Sequence, residues 1–554
     1  MRLANRRIRF LLFLFSVVFV IAFLRAFWLE GVRASAYDKL AVTQQREVIN
    51  IPARRGTIFD RTGAPLAIGE PATTVYADPK QVTEPRRVAT AAARALGLNA
   101  DTVYQEVTNR RLGFVYLERQ ADPAAAAKLE RQKLVGLGFY SEERRTYPQD
   151  RVGSSVLGWV GVDDHGLSGL ELQLDHFLSG HAGQQTIVKD PFGRPVDVAS
   201  SRPVRDGKDA YLTIDHTIQA NADAVLERAV QHWHALDATA IVMDPRNGSV
   251  LAMANAPGFD ANRFPHTKAQ VQRNRAVTDT FEPGSTFKLV TAAGVLSDHL
   301  VTPYTSFTLP PSIRVVDKVI HDAEARGTVT YTVSDIVAKS SNVGAITLAE
   351  MLGRYRLSSW ISRFGFGHKT RIDFPGESAG IVAPPQQWYG SAVGTIPIGQ
   401  GIAVTPIQLA AAYGAVANGG VWVTPHLVDH FRGGQEPKVR RRRVVSPAVD
   451  AELNKMLRGV VIEGTGTRAT IPGYSVAGKT GTADKPDGHG GYSSQYVASF
   501  VGFVPASRPR LIILVSVDSP QGAIWGGTVA APVFKKIAKF DLQYLAIPPD
   551  QPRH

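Results

Sequence analysis

The sequence predicts an α+β protein whose C-terminal half is one antiparallel sheet covered by helices on both faces. Two observations carry this expectation. Apolar, strand-like runs flank Asn247-Gly248 near the start of that half, at residues 238–255, and two more lie near its end, at 496–504 and 511–517. The segments between them read as helices, so the outer strands of one sheet come from distant parts of the chain.

The elements follow in order. Residues 10–23 are apolar except for Ser16, and Arg25 is the only charge before Phe27, Trp28 and Leu29. Crossing a bilayer takes about twenty apolar residues, a length reached here if Arg25 snorkels beside the interfacial Trp28. Arg2, Arg6, Arg7 and Arg9 precede the run, and this bias holds the N-terminus in the cytoplasm and sends the rest outside. Ala34-Ser35-Ala36 resembles a signal-cleavage site, but Glu30 and Arg33 separate it from the apolar core. The expected division is a cytoplasmic segment 1–9, an anchor 10–29, an elongated pedestal domain 30–205, a second domain 206–545 and a disordered tail 546–554.

Residues 51–66, IPARRGTIFDRTGAPL, read as an extended linking region. Helical patterns at 88–96 and 124–134 follow, and residues 168–180 set Leu170, Leu172, Leu174, Phe177 and Leu178 on one face of a helix ended by Gly180. Residues 209–215 form a strand pattern and 218–236 a long helix. Asn247-Gly248 suits the positive φ angles of a tight hairpin. A last helix begins near Ala531.

Composition narrows the chemistry. The chain has 554 residues with 62 Lys and Arg against 49 Asp and Glu, a formal charge of +13 that admits anionic partners. Cysteine is absent, which excludes a thiol nucleophile and thiolate metal sites. Export argues against nucleic acid. The densest basic run, Lys438 with Arg440 to Arg443, reads first as a solvated loop and second as a patch for anionic lipid or substrate.

Three short stretches carry chemistry. In residues 281–296, FEPGSTFKLVTAAGVL, Pro283 and Gly284 precede a buried helix, so Ser285 stands at its N-terminus and Lys288 one turn on. A serine hydroxyl needs a base, and lysine serves only as a neutral amine, a state that burial and the helix dipole both favour. Ser340 and Asn342, in KSSNV, offer a hydroxyl to relay a proton and an amide to hold a carbonyl. In AGKTGTA, Lys479 supplies a cation, Thr480 and Thr482 supply alternating hydroxyls, and Gly481 permits close approach of an extended substrate. Such an edge suits strand addition by a peptide with a terminal carboxylate.

Residues 473–480, GYSVAGKT, also satisfy the phosphate-loop pattern, but no strand precedes the first glycine and the residues after Thr480 cannot start a helix. Residues 464–469 imitate a dinucleotide fingerprint without a βαβ unit around them.

Ser285 with Lys288, Ser340 with Asn342, and Lys479-Thr480-Gly481, in that order, resemble the active-site set of penicillin-binding proteins and serine β-lactamases. The likeness extends to RRGTIFDRTG from Arg54, IVMDPRNGSVLAMAN, NRAVTDTFEPGSTFK from Asn274, GQGIAVTPIQLA from Gly399 and GGTVAAPVF from Gly526, and so spans nearly the whole chain. Together these resemble class B penicillin-binding proteins, and most closely their division type, FtsI.

The resemblance implies a serine β-lactamase-like fold and a D,D-transpeptidase acting on peptidoglycan stem peptides ending in D-Ala-D-Ala, inhibited by β-lactams and needing no metal or cofactor. Ser285 would be acylated, Lys288 its base, and Ser340 the donor of a proton to the departing D-alanine. Asn342 would hold the donor peptide, and Lys479, Thr480 and Thr482 its carboxylate. The backbone N–H groups of Ser285 and Thr482 would form the oxyanion hole. Implied partners are the SEDS-type glycosyltransferase FtsW and other divisome proteins. The motifs alone leave open hydrolysis of the acyl-enzyme, as in a carboxypeptidase, and an elongation role.

Overall fold

A computed structural model describes residues 2–32, 46–189, 195–489 and 491–552. They group into two compact units, Met1–Arg54 with Gly180–Gly207, and Arg55–Ser179 with Lys208–His554. In the first unit, helix Arg2–Phe27 continues into a π turn, Trp28–Val32. Its stretch Asn5–Gly31 is long and apolar enough to cross a membrane and suits a single-pass anchor. Ala34-Ser35-Ala36 lies outside the described residues. Strands Arg46–Ile51, Gly183–Lys189 and Pro195–Arg202 make an antiparallel sheet with Gly183–Lys189 in the middle.

The second unit begins where a linking region was expected, and the expectation fails at Arg55. Its side chain is 1% exposed and pairs with Glu171 at 2.7 Å and Asp175 at 2.6 Å, while Arg145 reaches the other Glu171 oxygen at 2.6 Å. Strand Ile58–Phe59 then pairs with Pro65–Ala77 and with Ala210–Leu212. The segment is thus core structure, because a buried guanidinium is tolerated only where carboxylates meet it. The same cluster breaks the leucine stripe. Residues 168–180 form two short helices, Gly169–Gln173 and Asp175–Leu178, in which Glu171 is fully buried and Leu172 is exposed.

Beyond it, strand Pro65–Ala77 pairs with Val115–Ala121 and Leu137–Thr146. Val75, Val88, Ala92, Val103 and Leu129 form a small core between this sheet and its helices.

The five-stranded antiparallel sheet runs in the order Val250–Ala256, Asp237–Met243, Leu511–Asp518, Tyr492–Val504, Ala477–Pro486. The central strands Asp237–Met243 and Leu511–Asp518 are mostly apolar, as burial on both faces requires. Helices His216–Trp233 and Gly526–Tyr544 cover one face through Ile218, Leu226, Val529 and Phe534. The other face packs on Lys288–Ser297, Pro406–Val416 and Pro447–Ile462. Strand Ala477–Pro486 pairs on one side only and is the sheet edge.

Several local expectations need correction. The hairpin at Asn247-Gly248 is a longer turn with only Gly248 at positive φ, +85°, where a Cβ would stand 2.4 Å from the Thr424 carbonyl oxygen. The last helix starts at Gly526 rather than near Ala531. The 209–215 pattern yields only Ala210–Leu212, which joins the sheet of the Pro65–Ala77 strand. The tail is ordered through residue 552: Ile547 is buried, and Asp550 accepts from the Ser475 N–H at 2.7 Å. Arg441–Arg443 is a strand paired with Val421–Val423, not a loop.

Candidate active site

Gly284–Phe287 is a 3₁₀ turn that runs directly into helix Lys288–Ser297, so Ser285 lies on a tighter turn than an α-helical N-terminus. Its position depends on glycines that let three backbones touch. Gly284 has φ +54°, and a Cβ there would meet the Thr482 carbonyl oxygen at 2.7 Å. A Cβ on Gly399 would lie 2.1 Å from the Gly284 oxygen. At Gly481 it would lie 2.3 Å from Ser499 Oγ and 2.9 Å from the Pro283 oxygen. Gly481 is therefore required by the seating of the Ser285 turn on the edge strand. The buried Tyr413 hydroxyl donates to the Thr286 carbonyl at 2.8 Å and fixes the turn from behind.

The Lys288 side chain is buried. Its Nζ donates to the Ser340 carbonyl oxygen at 2.6 Å, Asn342 Oδ1 at 2.8 Å and Ser340 Oγ at 3.3 Å. These three acceptors use every proton of an ammonium. Among the described residues no hydrogen bond joins Lys288 to the Ser285 hydroxyl, which stays half-exposed one turn away. Burial pushes the Lys288 amine down to about 7, against the opposing pull of the Asp322 charge.

Ser340 sits between helices Val333–Ala338 and Asn342–Leu352 with φ +62°, a left-handed conformation that costs a non-glycine residue roughly 1–2 kcal/mol. That backbone turn brings its carbonyl and its hydroxyl to the same amine. The hydroxyl also accepts from Lys479 Nζ at 2.9 Å and so bridges two lysines. Lys479 is 1% exposed, and burial followed by the charge of Lys288 drives its amine far below its ordinary range. Asn342 is held at both ends, its Nδ2 donating to the His321 carbonyl at 2.9 Å. Thr480 Oγ1 lies 2.6 Å from Thr465 Oγ1, and Thr482 Oγ1 accepts from the Gly526 N–H at 3.1 Å.

The sequence did not point to Asp322. Its carboxylate accepts from the Asn342 and Val343 N–H groups at 2.6 and 3.0 Å and from Ser341 Oγ, and pairs with Arg326 at 2.6 Å. It anchors the turn that carries Ser340 and Asn342, from a separate segment with no spacing rule to reveal it. Gly399 was likewise visible only within a longer resemblance, and Tyr413 lay outside every quoted stretch, with no chemical signal of its own.

Folding thus gathers Ser285, Lys288, Ser340, Asn342 and Lys479 from three segments, with Gly481, Thr480 and Thr482 on the adjoining edge. Residues 238–539 match the family described as the penicillin binding protein transpeptidase domain, and 50–212 match the penicillin-binding protein dimerisation domain. Peptidoglycan D,D-transpeptidase FtsI of Escherichia coli K12 is 33% identical over 98% of this chain and 92% of its own length. Stage V sporulation protein D of Bacillus subtilis is 33% identical over 99% and 88%. The chain belongs to the class B penicillin-binding proteins.

A solved penicillin-binding protein 3 of Mycobacterium tuberculosis, complexed with aztreonam, is 30% identical with a TM-score of 0.71 over 91% of this chain and 99% of its own. A peptidoglycan synthetase of Bifidobacterium adolescentis gives a TM-score of 0.75 at 27% identity, over 92% and 98%. As a class B penicillin-binding protein the chain is a transpeptidase, and the α+β fold expected from its strand pattern is that of the family. The phosphate-loop match at 473–480 falls on a turn and an edge strand, with no helix after Lys479.

Proposed function

We propose that this transpeptidase cross-links peptidoglycan stem peptides at the division septum through an acyl-enzyme on Ser285. The observation that carries the reading is the buried Lys288 amine, brought near 7 and hydrogen-bonded to Ser340 and Asn342 one turn from the serine. Neutral Lys288 takes the Ser285 proton as Oγ bonds to the carbonyl carbon of the penultimate D-alanine. The N–H groups of Ser285 and Thr482 hold the oxyanion. The peptide C–N bond then breaks, and Ser340, poised between Lys288 and Lys479, passes a proton to the departing D-alanine. An amine of a second stem peptide attacks the ester, forming the cross-link and restoring Ser285. Asn342 holds the donor peptide, while Lys479, Thr480 and Thr482 receive its carboxylate. For this cycle Lys288 must release at least one of its three present hydrogen bonds when substrate arrives.

The same chemistry makes the serine a target of β-lactams, as the aztreonam complex of the Mycobacterium tuberculosis relative supports. The arginines ahead of the apolar helix support an orientation with residues 1–9 in the cytoplasm and the catalytic region outside the bacterial inner membrane, with 30–205 as the pedestal, 206–545 as the transpeptidase domain, and FtsW and other divisome proteins as partners. Similarity to FtsI supports the septal role, whereas equal similarity to a sporulation protein supports a second reading of the occasion, not of the reaction. Fluorescent penicillin followed by peptide mapping tests the mechanism: label on Ser285, lost in Ser285→Ala, is expected, and label elsewhere refutes it. Depletion tests the role, with filamentation expected for division.

A further inference from the structure

The basic run that the sequence offered as a loop turns out to be one wall of a cleft. A cavity of about 880 Å³ is lined by Arg363, Lys369, Arg371, Arg440, Arg441 and Arg442, and no Asp or Glu is among its lining residues. It shares none of them with the Ser285 site. The six cations come from three separate segments. Arg363 ends helix Arg354–Phe364, Lys369 and Arg371 lie on the turn after it, and Arg441–Arg443 is the short strand on Val421–Val423. Among the described residues none of the six makes an ion pair with a carboxylate. Glu377, the carboxylate tied to this turn, is taken up behind it by the backbone N–H groups of Thr370 and Arg371 at 2.6 and 3.0 Å.

Side-chain contacts join two of these segments. Arg442 is exposed at its edge, lies 4.8 Å over the Trp422 ring and donates to the Arg363 carbonyl. Burial and the neighbouring Arg363 charge both work against its proton. Trp422 is 7% exposed, and its indole N–H is buried with no acceptor. Like charges gathered here repel one another, with the Glu377 charge reaching Lys369 only from behind its turn, and an anion placed between them beside the unpaired Trp422 donor would relieve that repulsion.

We propose that this cleft binds a phosphate-bearing ligand of the cell envelope, either a free diphosphate or a phospholipid headgroup. Two features select phosphate over carboxylate. Five of the six cations are arginines, whose planar forks match phosphate oxygens in pairs. The volume lies in the range of small-ligand pockets, so several charges must be met within one compact group, and phosphate carries more charge per atom than a carboxylate chain. A free diphosphate and a phospholipid headgroup share this chemistry.

The test uses the full chain in detergent, titrated by calorimetry at low salt with inorganic pyrophosphate, with soluble dihexanoyl-phosphatidylglycerol, and with citrate as a carboxylate of similar charge. One saturable site for pyrophosphate or for the short-chain lipid is expected, at least tenfold tighter than for citrate, and the tighter of the two names the source. Arg440→Glu with Arg441→Glu should weaken it at least tenfold while penicillin labelling of Ser285 stays intact. Lys369→Glu, on a different segment, should weaken it too. Citrate binding as tightly as pyrophosphate overturns the phosphate assignment. Unchanged binding in both variants, or no saturable binding at all, overturns the site.

Discussion

Two regions of this molecule bury basic side chains almost completely and treat them in opposite ways. Around Arg55, 1% exposed, every cation meets a carboxylate: Glu171 accepts from both Arg55 and Arg145, and Asp175 closes the cluster. Burial works against the Arg55 charge, but Glu171 and Asp175 outweigh it and raise its pKa above the ordinary value. Around Lys288 and Lys479 the hydrogen-bonding partners are hydroxyls, carbonyls and an amide, with no carboxylate among them. Burial there wins, and both amines move toward the neutral form. The difference teaches that burial alone does not decide what a basic residue does. Given counter-charge it stays ionised and holds structure, and given only neutral acceptors it becomes available for proton transfer.

The comparison can be broken most directly at Lys288. Lys288→Met should lower the rate of Ser285 acylation by a fluorescent penicillin about 10²–10⁴-fold, the range of a lost general base, while leaving the thermal midpoint unchanged or raised. A large fall in the midpoint would mean that Lys288 is structural like Arg55. Arg55→Met should show the reverse, a loss of about 3–5 kcal/mol in denaturant unfolding because Glu171 is left buried with less counter-charge. Acylation in folded protein should be nearly unaffected.

Proton release sharpens the contrast further. A lysine whose amine lies near 7 in the fold is protonated below that value, so acylation should climb through about pH 7 and level off above it. A profile still climbing at pH 9 would place the titrating amine near its ordinary range instead. The smallest expected effect is at Asp322, whose charge opposes the burial effect on Lys288. Asp322→Asn should therefore move the midpoint of that profile lower. A change in plateau height with no shift would assign Asp322 to anchoring the Asn342 turn alone.

Legibility followed the range of the interaction. Helix and strand positions were readable wherever an element packs on an apolar core, as in strands Tyr492–Val504 and Leu511–Asp518, which are apolar on both faces over most of their length. They failed where a buried ion pair replaced apolar contact: the leucine stripe hid Glu171, and Arg55 passed for part of a linker. The tail was misjudged for a similar reason, since Asp550 is held by Ser475 and Ser507, residues no local pattern connects to it.

By itself the amino-acid order determined which groups were available and in what sequence: Ser285 one helical turn before Lys288, then Ser340 and Asn342, then Lys479 through Thr482. Those are local facts, set by helix pitch and strand alternation. Tertiary structure alone decided that the Lys288 amine is hydrogen-bonded to Ser340 and Asn342, that Gly481 serves the packing of two backbones, and that six cations from three segments share one cleft. The physical reason is that a buried group's charge depends on which distant residues become its neighbours, and that is settled only when the elements pack.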